Sequence, residues 1–166
     1  MKEILYDRKK AIQYAQNWAY KRNPQYYNFD NVGGDCTSFA SQCIYAGSKI
    51  MNYSKQNGWY YINGNNKSPS WSGVEFLYNF LVQNNSIGPY GYEANQNEIE
   101  LGDIAQLSFD GSKFSHSLVI VKIENKTDSN QIFISSHTFD SFNKKISEYN
   151  YEKIRFIHIE KVRMSI

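Results

Sequence analysis

Residues 117–121, Ser-Leu-Val-Ile-Val, are apolar on both alternating sides, a pattern suited to a strand that is covered on both faces. A central strand needs neighbours. Ile104 to Phe109 follows a turn at Leu101-Gly102-Asp103 and is closed by Asp110-Gly111; Gln131 to Ser135, a short piece around Lys145 to Tyr149, and Ile154 to Val162 supply the other strands. Before residue 100 the spacing is helical. From Asp7, Ala11, Tyr14, Ala15, Trp18 and Ala19 recur at three and four residues, and the helix has to end before Asn23-Pro24, because proline disfavours helix in the preceding residue. A second helix carries Cys36, Phe39, Ala40, Cys43 and Ala46 on one stripe, with Gly47 as its stop; a third, capped by Ser70, buries Val74, Leu77, Tyr78 and Leu81. Helices first and an antiparallel sheet afterwards predict an α+β fold, and 166 residues fit one domain spanning 1–166.

The second helix begins at an unusual place. Gly33-Gly34-Asp35-Cys36 puts two glycines, a good N-cap and a thiol at a helix start, where first-turn amides lack partners and a thiolate is favoured. Cys36 is the candidate nucleophile. Cys43 lies on the same helix about 10.5 Å further along at ~1.5 Å per residue, too far for a bridge or a shared zinc. Both thiols are expected to be free, and Cys43 to be core.

A base and an orienting group come from the sheet. His116 opens the central strand and His137 closes the next. With the turn centred between Lys126 and Thr127 the two are directly opposed. A whole-residue shift keeps them on one face, and a half-residue shift separates them. Cys36 as nucleophile, His116 as base and His137 as the third member make a complete set. Asp140 is a second candidate for the third role, and His158, among Phe156, Ile157 and Ile159, reads as structural. Two histidines and a carboxylate could also ligate a metal, but a cysteine nucleophile explains more of the pattern, so no metal and no cofactor are expected.

Residues 48–70 show no period and read as long loops of the binding or lid type. Trp59, Tyr60 and Tyr61, with Trp71, are expected to line the cleft beside Cys36 and stack on substrate; the competing reading is a core beneath the loop. Net charge is +2 without a basic block, which gives neither nucleic acid nor an anionic membrane an electrostatic footprint. The N-terminus lacks a signal-peptide core, and no apolar run reaches membrane length. The stretch as given reads as cytoplasmic, or as secreted or cell-wall-associated were an upstream signal or domain removed.

The ordered set Gly33-Gly34-Asp35-Cys36-Thr37, Phe39, Ser41-Gln42-Cys43, Ser70-Trp71, Gly102-Asp103, His116-Ser117 and His137-Thr138 with Asp140 resembles the bacterial putative amidase domain, a relative of papain-like cell-wall cysteine peptidases and amidases. The resemblance implies a papain-like fold, with Cys36 as nucleophile, His116 as base and His137 as orienter. Ser38 departs from the asparagine that the family often has after the threonine. The chemistry expected is acyl transfer through a thioester on Cys36, from a peptide-like or amide-containing substrate to water. Transfer to an amine, as in a transglutaminase-like acyltransferase, is the alternative. A non-catalytic module holding peptide or glycan is a third reading, against which the intact Cys36, His116 and His137 speak.

Overall fold

The computed structural model describes residues 1–166. Strand β1 (Lys2–Ile4) leads into helix α1 (Arg8–Trp18), which is capped by Asp7 accepting a 3.1 Å hydrogen bond from the Lys10 amide. Helix α2 (Cys36–Ser48) runs past Gly47 and ends where Lys49 turns left-handed at φ 60°. Gly47 is bare for a different reason than the one expected. A Cβ there would meet Cε1 of Tyr6 at 2.5 Å, and Tyr6 in turn donates to the Gly102 carbonyl at 3.0 Å.

The third helix is two helices. Gly73, extended at φ −109° and ψ 129°, separates α3 (Pro69–Ser72) from α4 (Val74–Gln83). Ser70 does not cap; its hydroxyl donates to the Gly58 carbonyl at 2.7 Å. Between α2 and α3 lies a small hairpin of β2 (Tyr61–Asn63) and β3 (Asn66–Lys67).

The main sheet has seven strands, adding β4 (Gly88–Ala94), β5 (Ile104–Ser108), β6 (His116–Ile123), β7 (Ile132–Ser136), β8 (Ser141–Lys145) and β9 (Lys153–Met164) to β1. Every pairing is antiparallel. The fold is therefore α+β. Along one edge β9 pairs with β5 and then β1, and along the other with β4. Strand β4 has no sequence signature, since Gly88, Pro89 and Gly91 are poor strand formers. Gly91 is nonetheless required there: a Cβ would sit 1.8 Å from the His158 carbonyl oxygen.

The sheet is covered on both sides, as the doubly apolar β6 demands. Helices α1, α2 and α4 pack on one face, over a core of 18 residues that includes Phe39, Leu77, Ile104, Val119 and Ile157. On the other, nine residues, among them Leu107, Leu118, Ile120 and Ile134, form a second core under Ile146 and Ile99. Buried Asp103 ties the helix layer to β9. Its carboxylate accepts from Arg8 at 2.8 Å, His158 Nδ1 at 2.9 Å and the amides of Glu100 and Ile159 at 2.8 and 2.9 Å. His158 is thus accounted for by structure. No helix is long and apolar enough to cross a membrane.

Candidate active site

Gly33 and Gly34, at φ +83° and +94°, bring the chain into α2 through a conformation that L side chains avoid. Asp35 follows at the cap position yet does not cap. Its Oδ1 accepts from the Phe29 amide at 2.9 Å, and its Oδ2 lies 2.6 Å from His137 Nδ1. A carboxylate occupied elsewhere leaves the first-turn amides of Cys36, Thr37 and Ser38 without a side-chain acceptor. The helix start is open at the residue that carries the thiol.

Cys36 itself is buried, 7% exposed, with Thr37 Oγ1 3.8 Å from its sulfur. Burial pushes its thiol above the ordinary range, and the backbone N–H groups of Ser117 and Thr37, which favour thiolate, offset only part of this. The resting group is a thiol. This corrects the expectation of a thiolate, because desolvation outweighs the helix start.

The first turn of α2 is locked to the start of β6. Thr37 Oγ1 and Ser117 Oγ are 2.9 Å apart, and Gln106 donates to Ser117 Oγ at 3.2 Å. Arg155 holds Gln106 at 2.9 Å and Glu75 at 2.8 Å. This chain of polar contacts fixes Cys36 against the His116-Ser117 segment. Tyr149 lies beside the histidine, its ring centroid 5.7 Å from that of His116.

The two histidines part company. Val119 pairs with Ser135 and Ile120 with Ile134, and a bulge follows between Ile120 and Lys122. Near the histidines the register is therefore half a residue off the expected one. Ser117 comes abreast of His137, and His116 faces away from α2. The cause is the bulge, which takes up an extra residue in β6 that periodicity does not reveal.

His137 sits on the helix face, 1% exposed and stacked on Phe39 with centroids 3.9 Å apart. Its Nδ1 meets Asp35, and its Nε2 lies 2.7 Å from the Trp18 carbonyl. Both ring nitrogens are thereby engaged, and neither is left for a further partner. The hydrogen bond expected between His137 and His116 is not made. Asp140 does not replace it; its carboxylate is held by two 2.9 Å hydrogen bonds from Arg22.

His116, on the opposite face, has one side-chain partner. Ser136 Oγ lies 3.2 Å from its Nε2 and donates to the His137 carbonyl at 2.5 Å. A hydroxyl has one proton to give, so toward His116 it accepts. In that arrangement Nε2 carries the proton and Nδ1 keeps a free lone pair. Burial, with a smaller contribution from Lys144, lowers the pKa of His116 to about 4, so the ring is neutral at pH 7. Ser136 was absent from the sequence-level candidates. Its signal, a place on the same strand face as His116, becomes legible only with the bulged register.

The aromatic residues divide as well. Trp59 and Trp71 are fully buried and belong to the helix-side core rather than to a cleft. Trp59 Nε1 donates to Ser41 Oγ at 3.0 Å, and Ser41 to the Trp71 carbonyl at 2.8 Å. Tyr61 packs on Tyr26 and Trp71 and accepts from the Tyr27 amide at 2.6 Å; Tyr60 packs on Tyr53. Large apolar rings gain more from burial than a loop can retain by exposing them. The hollow beside His116 is instead a pocket of about 350 Å³ with Phe109, Thr138, Phe139, Lys144 and Tyr149 in its wall. A larger hollow of about 560 Å³, amide-lined, lies apart from the chemistry between residues 52–58 and α4. No three His, Cys, Asp or Glu side chains converge in a way that could hold a metal ion.

The family model described as "Putative amidase domain" matches residues 5–159. The uncharacterized protein YhbB of Bacillus subtilis (strain 168) is 30% identical over 151 residues, covering 89% of this chain and 45% of that protein. The chain thus spans about half the length of the curated relative it matches. No solved structure matches it.

Proposed function

The chain belongs to the Putative amidase domain family, and from that premise we propose that it is a cysteine-dependent amidase working through a thioester on Cys36. The observation that carries this reading is the uncapped first turn of α2, locked by Thr37 and Ser117 against the strand that bears His116. A thiol at a helix start, tied through Thr37 and Ser117 to the strand that His116 opens, also supports the papain-like kinship.

The resting pair is neutral, thiol and imidazole. As sulfur attacks the amide carbonyl, the free Nδ1 of His116 takes the thiol proton, and the carbonyl oxygen gains the negative charge. The open amides of Cys36 and its first turn meet that oxyanion. Collapse breaks the C–N bond while Nδ1–H passes its proton to the leaving amine. Water then adds to the thioester with His116 again as base, releasing acid and thiol. Ser136 keeps Nε2–H in place throughout. His137 is a positioning residue: by engaging Asp35 it keeps the cap carboxylate off the first-turn amides.

Rapid quenching during turnover of an amide panel, followed by intact mass measurement, tests the proposal. A mass increase that maps to Cys36, is removed by neutral hydroxylamine and is absent from Cys36→Ala is the expected result. Undiminished amide turnover by Cys36→Ala overturns it. Added amines that divert the acyl group into new amides would show that the acceptor is an amine rather than water.

A further inference from the structure

Beside His116 the molecule leaves two donors without an acceptor. Lys144, on β8, lines the pocket with its ammonium 4.0 Å from the centroid of the Tyr149 ring. The lysines that form ion pairs are Lys10, Lys122 and Lys161; Lys144 is not one of them. The Tyr149 hydroxyl is buried and has no hydrogen-bond partner. Burial raises its pKa to about 12, so it keeps its proton. Glu148, also in the wall, is turned to the backbone through one oxygen, which accepts from the Lys145 amide at 3.0 Å. A free ammonium and an unused hydroxyl at one pocket suit a carboxylate, which accepts from both.

The position of the pocket says which half of a substrate it serves. Its wall includes His116 but not Cys36. In the mechanism above His116 delivers the proton to the leaving amine, so this side holds the amine half. Phe109 and Phe139, 46% and 84% exposed, offer apolar surface there. The reach is short enough: Lys144 and His116 both lie against Tyr149, and the α-carbon carboxylate of an amino acid begins two bonds from its nitrogen. Resting on the amidase reading, we infer that this pocket is a carboxylate subsite, built on Lys144 and Tyr149, for amides whose leaving amine is an amino acid with a free carboxylate and an apolar side chain.

The charge also couples to the base. The titratable groups that share the pocket wall with His116 are Lys144, Glu148 and Tyr149. Among them Lys144 lowers the basicity of His116. A carboxylate seated on Lys144 offsets that charge, so the base strengthens when such a substrate is in place.

N-acetyl-phenylalanine and N-acetyl-phenylalaninamide, in both enantiomers, test this as matched probes differing in one charge. The wild-type protein is expected to favour the acid, by kcat/KM, roughly 10- to 100-fold, the range of a hydrogen bond to a charged group. Lys144→Gln should bring the ratio near one, and Tyr149→Phe, which keeps the ring, should reduce it. Equal turnover of acid and amide by the wild type, or a preference that survives Lys144→Gln, overturns the subsite. A binding arm separates this from the underlying reading: calorimetry on Cys36→Ala should show the acid, not the amide, binding in a Lys144-dependent way. Such binding with no turnover of either probe by the wild type leaves the subsite standing and counts against the amidase. Neither binding nor turnover overturns the subsite.

Discussion

His116 and His137 stand nearly across from one another on the β6–β7 hairpin and live in opposite circumstances. On the helix face, His137 spends both ring nitrogens on acceptors and its ring face on Phe39. On the far face, His116 spends one nitrogen on Ser136 and keeps the other unused. A fully satisfied buried polar group stabilises a fold and has nothing left to react with. A buried group with one unused lone pair is poised for proton transfer, and the two faces of this sheet separate those conditions over half a residue of register.

Replacing each ring in turn puts most strain on the contrast. His116→Ala should lower kcat/KM roughly 10²- to 10⁴-fold, the usual worth of a positioned acid-base group, with the melting temperature little changed. His137→Ala should act mainly on stability, costing about 3 kcal/mol in denaturant titrations, because it opens a cavity against Phe39 and removes the closest partner of the buried Asp35 carboxylate, leaving it the Phe29 amide and Arg22 at 3.6 Å. If His137→Ala melts like the wild type and loses only kcat, the division between the faces fails.

The pH profile is the next largest effect. The productive pair shares one proton between sulfur and imidazole. Below pH about 4 His116 takes a second proton, so activity should fall as pH drops through that region rather than near the ordinary imidazole value of about 6.5. The alkaline limb belongs to Cys36, whose pKa is raised, so it should lie above the ordinary thiol range. Lys144→Gln should move the acid limb upward by removing a positive neighbour. An acid limb near 6.5 in kcat/KM would mean that His116 is better solvated than its burial indicates.

Smaller effects sharpen the comparison. Ser136→Ala should cost about tenfold in kcat, the ~1.4 kcal/mol of one hydrogen bond, by freeing the tautomer without removing the base. Trp59→Phe should cost about 1 kcal/mol of stability through the lost hydrogen bond to Ser41, with KM unchanged. A raised KM at an unchanged melting temperature would return Trp59 to the substrate.

The doubly apolar β6 and the three-and-four spacing of α1 announced layers on both sides of a sheet, and the glycine pair before Cys36 announced a helix-start thiol. Those are local signals, set by period and turn chemistry. What escaped was set by tertiary partners. The bulge after Ile120 exchanged His137 for Ser136 beside the base. Strand β4 exists because β9 offers an edge to glycine-rich chain. Asp35 looked like a cap but is held by His137, 102 residues away in sequence, and Trp59 and Trp71 looked like loop aromatics because nothing in the loop shows the core beneath it.

Strand β9 has a consequence for how the site comes into being. Its twelve residues pair with β5, β1 and β4, so strands formed early in synthesis have no shared partner until the end of this stretch leaves the ribosome. Pairings of such long sequence separation close slowly. Cys36 is made well before β9, yet the sheet beside it is completed only by that strand. A nascent chain would therefore carry the Cys36 thiol well before the sheet beside it is complete.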